Sequence, residues 1–208
     1  MKYRLIWLLL VVLVAGSIGS STVTAQTTYD TYIVQPGDSL WKIAVKYQVG
    51  LDEIIAANPQ FPNPRLIYPN DRVKVPLITA VKSIEAEVVR LVNAERQKNG
   101  LRPLVINWEV SRVARYKSAD MRDKNYFSHT SPTYGSPFDM LRHFGITYRA
   151  AGENIAAGQT TASQVMQGWM NSAGHRQNIL NPTFTQIGVG YASGGSYRYY
   201  WTQMFITK

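Results

Sequence analysis

Residues 152–156 read GENIA, and they lie between two histidine-bearing segments, YFSHTSP at 126–132 and GHRQNIL at 174–180. The chain has only three histidines, and two of them, His129 and His175, belong to these segments. Glu153 adds a carboxylate, and turn-forming and apolar residues surround each of the three. Two imidazoles and a carboxylate in such settings predict a partly buried polar site.

The sequence around this site has helical and strand patterns. Four amphipathic stretches predict helices, at residues 84–92, 110–121, 136–145 and 165–170. Two β-rich runs, 186–191 and 197–206, are joined by the glycine-containing turn SGGS at 193–196. We therefore expect one domain over residues 83–208, in which helices cover both faces of a small sheet.

Segments spread along this domain resemble the signature stretches of the CAP superfamily (cysteine-rich secretory, antigen 5 and pathogenesis-related 1 proteins), and most closely those of its cysteine-free bacterial members. The segments are LVNAER at 91–96, YFSH at 126–129, GENI at 152–155, WMNSAGH at 169–175, IGVGY at 187–191 and YWTQMF at 200–205. The resemblance implies an α-β-α sandwich with a central cleft. In many members that cleft carries two histidines and two glutamates, which can hold a divalent ion.

His129, Glu153 and His175 match three of those four positions, and the fourth, a glutamate in the family, falls at Ser172. Three such ligands can still bind zinc together with a water molecule, so two alternatives stay open. The three side chains can hold a divalent ion such as Zn²⁺ and activate its water. They can instead form a hydrogen-bonded network that orders the cleft and requires no cofactor, and this is the arrangement we expect.

Other catalytic arrangements lack support in the sequence. Ser131 and Ser172 do not stand in a nucleophile elbow, and one carboxylate in the suspected cleft is too few for ordinary glycoside hydrolysis. His129, Glu153 and His175 are therefore the only candidates for catalysis, and we assign no catalytic role to them.

Residues 31–76 have the pattern of a small β-α-α-β domain. Its strands and helices are predicted at residues 31–34, 40–47, 51–58 and 72–75. A loop with several prolines precedes the second strand. We predict a short linker at residues 77–82, between this domain and the next.

This segment resembles a LysM module along its whole length, in YIVQPGDSLWKIA at 32–44, LDEIIAANP at 51–59 and LIYPNDRVKVP at 66–76. One departure is Asn70 and Asp71, where the family usually has glycine and glutamine. The resemblance implies binding of N-acetylglucosamine-containing glycans such as peptidoglycan, in a shallow groove between two loops. Carried over to this chain, the groove comprises Gly37, Asp38, Ser39, Leu40, Asn58, Pro59, Leu66 and Ile67. Asp38 and Ser39 are also suited to cap the first helix.

The N-terminus has the features of an export signal. Lys2 and Arg4 precede an apolar run at residues 5–15, and small residues at 23 and 25 suit cleavage. The run is shorter than the ~20 apolar residues that span a bilayer. We predict that residues 1–25 are a cleaved signal peptide, with an uncleaved anchor as the alternative.

Composition narrows the chemistry and the partners. The chain has no cysteine, which excludes disulfides and thiolate sites. Its formal net charge is +9, and beyond the predicted signal the basic excess lies in residues 81–208. Such a surface attracts anionic wall polymers or lipid headgroups. No basic helix or aromatic-basic motif stands out, so we expect no nucleic acid partner.

These features predict a secreted α+β protein of a bacterial cell wall or spore envelope. The LysM module would bind peptidoglycan, and the CAP domain would act as a binding or assembly module. The alternatives are a metal-dependent hydrolase of cell-wall or protein substrates, and a binder of lipid or another small hydrophobic ligand.

Overall fold

The computed structural model describes residues 28–208, which form a small N-terminal domain and a larger C-terminal domain. The predicted signal peptide, residues 1–25, lies outside the described residues. Within residues 28–208, no helix is both long enough and apolar enough to cross a membrane.

The N-terminal domain has the predicted β-α-α-β order. Its elements are β1 (Thr28–Ile33), α1 (Leu40–Tyr47), α2 (Leu51–Ala57) and β2 (Arg72–Leu77). The two strands are antiparallel, with Thr28 opposite Leu77 and Ile33 opposite Arg72. Both helices, strand β2 and the residues that follow β1 and α1 bury apolar side chains in one cluster, formed by Val34, Leu40, Ile43, Ala44, Val49, Ile54, Val73 and Val75.

The turn before β2 forms although Asn70 and Asp71 replace the glycine and glutamine that are usual in the family. Asn70 has a φ of 75°, a left-handed conformation that asparagine adopts more readily than most residues other than glycine. Its backbone N–H donates to the carbonyl of Val34 over 2.9 Å. The turn therefore stays closed against the end of β1 although glycine is absent.

The two domains follow one another closely along the chain. Residues 77–82, the predicted linker, comprise the last residue of β2, Ile78 and the first turn of α3 (Thr79–Lys98). Hydrogen bonds join the domains: Lys82 Nζ donates to the Tyr47 carbonyl over 2.9 Å, and the Tyr116 hydroxyl donates to Glu53 Oε2 over 2.7 Å.

The C-terminal domain is an α-β-α sandwich. After α3 it contains β3 (Val105–Ile106), α4 (Trp108–Asp123), α5 (Pro137–His143), β4 (Ala150–Ala157), α6 (Ala162–Asn171), α7 (Ala173–Ile179), β5 (Gln186–Ser193) and β6 (Tyr199–Thr207). The strand order is β3-β5-β6-β4. Strand β3 is parallel to β5, and the other pairs are antiparallel. The mixed α+β class is as predicted.

Side chains alternate across the sheet and divide the core into two layers. On β6, Trp201 and Phe205 pack in the cluster shared with α3 and α6. Met204 and Ile206 pack in the cluster shared with α4 and α5. This period of two is that of a strand buried on both faces. The strand order places β4 at the sheet edge, next to β6.

Helix α4 lies unusually close to the sheet because β5 presents glycines to it. A Cβ at Gly188 would lie 2.3 Å from the Ser111 nitrogen, and one at Gly190 would lie 2.1 Å from the Ala114 carbonyl carbon. Only a residue without a side chain fits between these backbones. The buried side of α4 thus packs on β5 and β6.

Candidate functional site

The three predicted polar residues come from different elements around the sheet edge. Glu153 lies in β4, opposite Met204 of β6. His175 lies in the first turn of α7, and His129 lies in the loop between α4 and α5. Turn-forming residues surround all three in the sequence, and the structure places Glu153 in a strand and His175 in a helix. Pairing with β6 holds the GENIA segment extended although glycine and asparagine are poor strand formers.

His129 and Glu153 form the central contact of the site. His129 Nδ1 lies 2.7 Å from Glu153 Oε1, so the ring nitrogen donates to the carboxylate when this oxygen is ionised. The Glu153 side chain is 2% exposed and that of His129 is 53% exposed. The carboxylate thus fixes the ring and its tautomer from inside, while the other edge of the ring reaches solvent.

The second carboxylate oxygen of Glu153 is left without a partner. Oε2 is buried and accepts no hydrogen bond within residues 28–208. A buried acceptor in this state costs about 1–3 kcal/mol. Glu153 therefore keeps a buried acceptor without a partner next to an oriented imidazole, and the exposed edge of the His129 ring is the part of the pair that a ligand can reach.

Lys117 of α4 supplies a buried positive charge close to this site. The residue is 0% exposed, and its Nζ donates to the His129 carbonyl over 2.8 Å and to the Tyr126 hydroxyl over 3.2 Å. Burial lowers the pKa of Lys117, while the charges of Glu153 and Asp120 oppose that change. The lysine both holds the histidine loop and offsets the Glu153 charge.

Asp120 anchors the same loop one turn further along α4. Its carboxylate accepts from the hydroxyls of Tyr126, Ser131 and Thr133 over 2.6, 2.7 and 2.5 Å. Burial raises the pKa of Asp120, but these hydrogen bonds outweigh burial and hold the pKa below its usual value. The loop that carries His129 is thus fixed at several points.

Amide side chains attach α7 to β4 on the opposite face of the sheet. Asn154 Nδ2 donates to the His175 carbonyl over 3.1 Å and to Gln203 Oε1 over 3.0 Å. Asn178 Nδ2 donates to the Glu153 carbonyl over 3.1 Å and to Asn154 Oδ1 over 2.9 Å. These bonds set the position of His175 relative to Glu153. The Asn154 side chain therefore links strand β4 to helix α7.

His175 lines an apolar groove beside the His129–Glu153 pair. The groove has a volume of about 280 Å³, and its lining includes Phe127, Ile155, Trp169 and Ser172. Burial lowers the pKa of His175, and the neighbouring charge of His129 lowers it further. The imidazole is consequently predominantly neutral near pH 7. Ser172, which stands where the family has its second glutamate, contributes no carboxylate to this groove.

The predicted metal ligands do not form a three-ligand set in this arrangement. Within residues 28–208, no three His, Cys, Asp or Glu side chains are grouped so that they can hold a metal ion. Glu153 uses Oε1 to orient His129, which is the role of a supporting carboxylate behind a histidine ligand. The geometry thus matches a hydrogen-bonded pair with His175 nearby.

The predicted glycan groove contains residues of two kinds. Leu40 and Asn58 are 2% and 1% exposed. Asn58 uses its side chain inside the domain, donating to the carbonyls of Ile54 and Lys74 and accepting from the Lys74 N–H. The side chains of Leu40 and Asn58 are therefore not available to a glycan.

The remaining groove residues are accessible to different degrees. Gly37 and Pro59 are exposed, Leu66 is 54% exposed, and Ile67 packs partly on the core. Ser39 caps α1 through the Lys42 N–H. Asp38 accepts from the Tyr32 hydroxyl and the Gln35 N–H, both over 2.8 Å. The capping role expected for Ser39 is confirmed, and Asp38 closes the preceding turn.

Several site residues escaped the sequence analysis. Lys117 was assigned to an apolar helical stripe, and a lysine at a core position of that stripe was the available signal. Asp120, Asn178 and Gln203 carried no such signal. Their roles depend on contacts between residues far apart in sequence, which short-range periodicity does not report.

Comparison with known proteins identifies both domains. Residues 89–205 match the family model described as the cysteine-rich secretory protein family, CAP. The chain belongs to this family. Residues 32–76 match the LysM domain model, so a LysM domain precedes the CAP domain, as predicted.

Individual relatives cover parts of the chain. "Uncharacterized protein YkwD" of Bacillus subtilis (strain 168) is 62% identical over 130 residues, which are 62% of this chain and 49% of that protein. "Spore coat assembly protein ExsA" of Bacillus cereus is 53% identical over 45 residues, 22% of this chain and 7% of that protein.

A solved structure also matches, that of an extracellular protein containing an SCP domain from Bacillus anthracis. It is 39% identical, with a TM-score of 0.55, and the match covers 67% of this chain and 47% of that one. The chain thus spans about half the length of YkwD and of the anthracis protein.

Proposed function

We propose that this protein is a secreted component of a bacterial cell wall or spore envelope, anchored through its LysM domain to an N-acetylglucosamine-containing glycan such as peptidoglycan. LysM domains generally bind such glycans. The observation that carries the proposal is the exposure of part of the predicted groove. Its exposed positions, Gly37, Pro59 and Leu66, lie on loops that the buried core and the Ser39 cap hold in place. The names of the ExsA and anthracis proteins support an envelope or extracellular setting.

The CAP domain of this protein acts in the envelope as a binding or assembly module. The His129–Glu153 pair is oriented from inside by Lys117, and Glu153 Oε2 has no partner in residues 28–208. The exposed edge of the His129 ring can form a hydrogen bond with a ligand without any covalent chemistry. The basic excess of residues 81–208 adds attraction to anionic wall polymers or lipid headgroups.

Titration with a chitin oligosaccharide, followed by amide resonances, tests the anchor. Resonances of residues 37–39 and 66–67 should shift saturably. Leu66→Ser should weaken binding, because Leu66 offers apolar contact to a sugar face. Val45→Ser is the control, since Val45 is an apolar residue of the same domain with 39% exposure. Shifts confined to the CAP domain would contradict the proposed groove.

A metal-dependent hydrolase of wall or protein substrates is the second candidate, and the half-exposed His129 ring beside His175 is the observation that favours it. It requires Glu153 to release His129 and join both histidines as a third ligand. Plasma mass spectrometry of the purified protein tests this. One divalent ion per chain, lost in His129→Ala/His175→Ala, would support the hydrolase. Substoichiometric metal in both proteins supports the binding module.

Binding of a lipid or small hydrophobic ligand is the third candidate, and the apolar lining of the groove beside His175 favours it. Organic extraction of the purified protein followed by mass spectrometry tests it. A stoichiometric lipid, lost when Gly168→Phe fills the groove, would support this function. If no lipid is extracted, a polar or peptide ligand is the remaining occupant for the groove.

A further inference from the structure

A second pocket lies where the two domains meet. It has a volume of about 160 Å³, and its lining combines Gln48, just after α1 of the LysM domain, with residues of α3, α4 and β5 of the CAP domain. None of its lining residues belongs to the glycan groove or to the His129–Glu153 site. An inference about this pocket therefore does not rest on the proposed function.

Two basic side chains, Lys82 and Arg115, and one acidic side chain, Glu85, line this pocket. Glu85 is 5% exposed. Arg115 Nε lies 3.0 Å from Glu85 Oε1 and 3.2 Å from Oε2, and the Tyr191 N–H donates to Oε1 over 3.3 Å. Arg115 thus contacts both carboxylate oxygens of Glu85 through Nε. The two terminal nitrogens of Arg115 donate to no group in the described part of the chain.

Lys82 places a second cation beside Arg115. Its Nζ donates to the Tyr47 carbonyl over 2.9 Å, which leaves two of its three donors free. Burial lowers the pKa of Lys82, the charge of Arg115 lowers it further, and Glu85 opposes both. Two cations therefore share one carboxylate in a partly dehydrated space, where an added negative charge is strongly favoured.

The rest of the lining is mainly apolar and the space is small. Trp108, Ile106 and Val189 provide apolar surface, and Ile106 is 52% exposed, so it forms the rim towards solvent. A water molecule occupies about 30 Å³ in the liquid, so the pocket holds the equivalent of only a few waters. A disaccharide or drug-sized ligand, which needs about 300 Å³ or more, does not fit.

We propose that this interdomain pocket binds a single carboxylate that carries a short apolar group. The carboxylate pairs with the free nitrogens of Arg115 and with Lys82, and the apolar group contacts Trp108 and Ile106. The C-terminus of a short peptide and a free short-chain acid both have this chemistry. Because Gln48 and Lys82 come from different domains, such a ligand also contacts both domains at once.

The Trp108 indole N–H resonance of the purified protein reports binding directly. Propionate and N-acetyl-alanyl-alanine should shift it saturably, while propionamide and the peptide's C-terminal amide should not. Tighter binding of the peptide than of propionate identifies a peptide C-terminus as the source, and equal binding identifies a free acid. The proposal is overturned if amides shift the resonance as acids do, or if no acid shifts it.

Paired variants locate the site. Lys82→Gln should weaken carboxylate binding roughly tenfold, as expected for the loss of one charged hydrogen bond. Lys98→Gln removes an equal charge from an exposed position of the same helix and should leave binding unchanged. Equal effects of the two variants contradict the proposal.

A second pair of variants tests the location of the site by steric blocking, without changing any charge. Ile106→Trp should block the pocket. Val105→Trp, at the neighbouring exposed position that does not line the pocket, should not. Unweakened binding to the Ile106 variant contradicts the assigned location.

Discussion

The Tyr116 hydroxyl of the CAP domain donates a 2.7 Å hydrogen bond to Glu53 Oε2 of the LysM domain. The Tyr116 ring also stacks on Phe144, with centroids 5.0 Å apart. The Tyr116 ring thus packs within the CAP domain while its hydroxyl contacts the LysM domain. Together with the Lys82–Tyr47 bond, it fixes one domain against the other and shapes the pocket between them.

Removing this hydroxyl should loosen the domain contact. Tyr116→Phe keeps the stacking but leaves Glu53 without its donor, and we expect a loss of about 1 kcal/mol in the free energy of unfolding. Urea denaturation and the cleavage rate of residues 77–82 by a protease measure the two effects. Tyr29→Phe, at a half-exposed tyrosine of β1, is the control. Equal cleavage of both variants would show that the bond does not join the domains.

Replacing Lys117 should damage the site through its supporting loop. Lys117→Met leaves the His129 carbonyl without its donor and Glu153 without the nearby cation. Leaving a buried acceptor without its donor costs about 1–3 kcal/mol in the free energy of unfolding. Urea denaturation measures the stability, and hydrogen exchange of residues 126–133 measures the loop. Lys98→Met, at an exposed lysine, should change neither. If Lys117→Met changed neither the stability nor the hydrogen exchange of residues 126–133, Lys117 would not support the His129 loop.

Two glycine-to-alanine variants should change the stability in opposite directions. Gly190 lies where β5 packs on α4, and Gly168 lies in α6. Gly190→Ala forces a Cβ to within 2.1 Å of the Ala114 backbone and should destabilise the protein by about 3 kcal/mol. Gly168→Ala has open space in α6 and should stabilise it by about 0.5–1 kcal/mol. Thermal unfolding of both variants decides. A tolerated alanine at Gly190 would contradict the close helix–sheet approach.

The sequence was sufficient for some of these features and not for others. Helical stripes such as Val110 to Met121, and the Ser136–Pro137 helix start, depend on local periodicity and capping, so they were predictable. Strand β4 was not, because Gly152 and Asn154 disfavour strands and only pairing with β6 overrides that preference. The support that Lys117 gives to His129 depends on a loop closing over α4, a contact that local pattern does not encode.

Glu85 should make stability depend on pH. Burial raises the pKa of Glu85 to about 7 despite the opposing charge of Arg115, so the folded state favours the protonated acid. The stability that Glu85 contributes is therefore complete below the unfolded-state pKa of 4.5 and declines as pH rises towards about 7.

Glu85→Gln provides the measurement. Glutamine mimics the neutral acid and should remove this decline when the free energy of unfolding is measured between pH 4 and pH 8. Glu95→Gln, on the same helix but partly exposed, should keep it. A decline of equal size in wild type and Glu85→Gln would assign the dependence to other groups.

His175 should titrate below its ordinary range. Burial lowers its pKa from 6.5, and the charge of His129 lowers it further. We expect the His175 ring protons to titrate with a midpoint below 6.5, and the midpoint to rise in His129→Asn because a neighbouring positive charge is removed. Proton NMR of the histidine rings measures both values. An unchanged midpoint in the variant would show that the two rings do not interact.

Sedimentation with purified peptidoglycan sacculi tests the central claim most directly. We expect the wild-type protein and His129→Ala to pellet equally, Leu66→Ser to remain largely in the supernatant, and no soluble wall fragments to be released. This result would assign retention to the LysM groove and leave the CAP domain as a binding module. Wild-type protein that stays in solution, or pelleting that is unaffected by Leu66→Ser and lost in His129→Ala, would contradict the account.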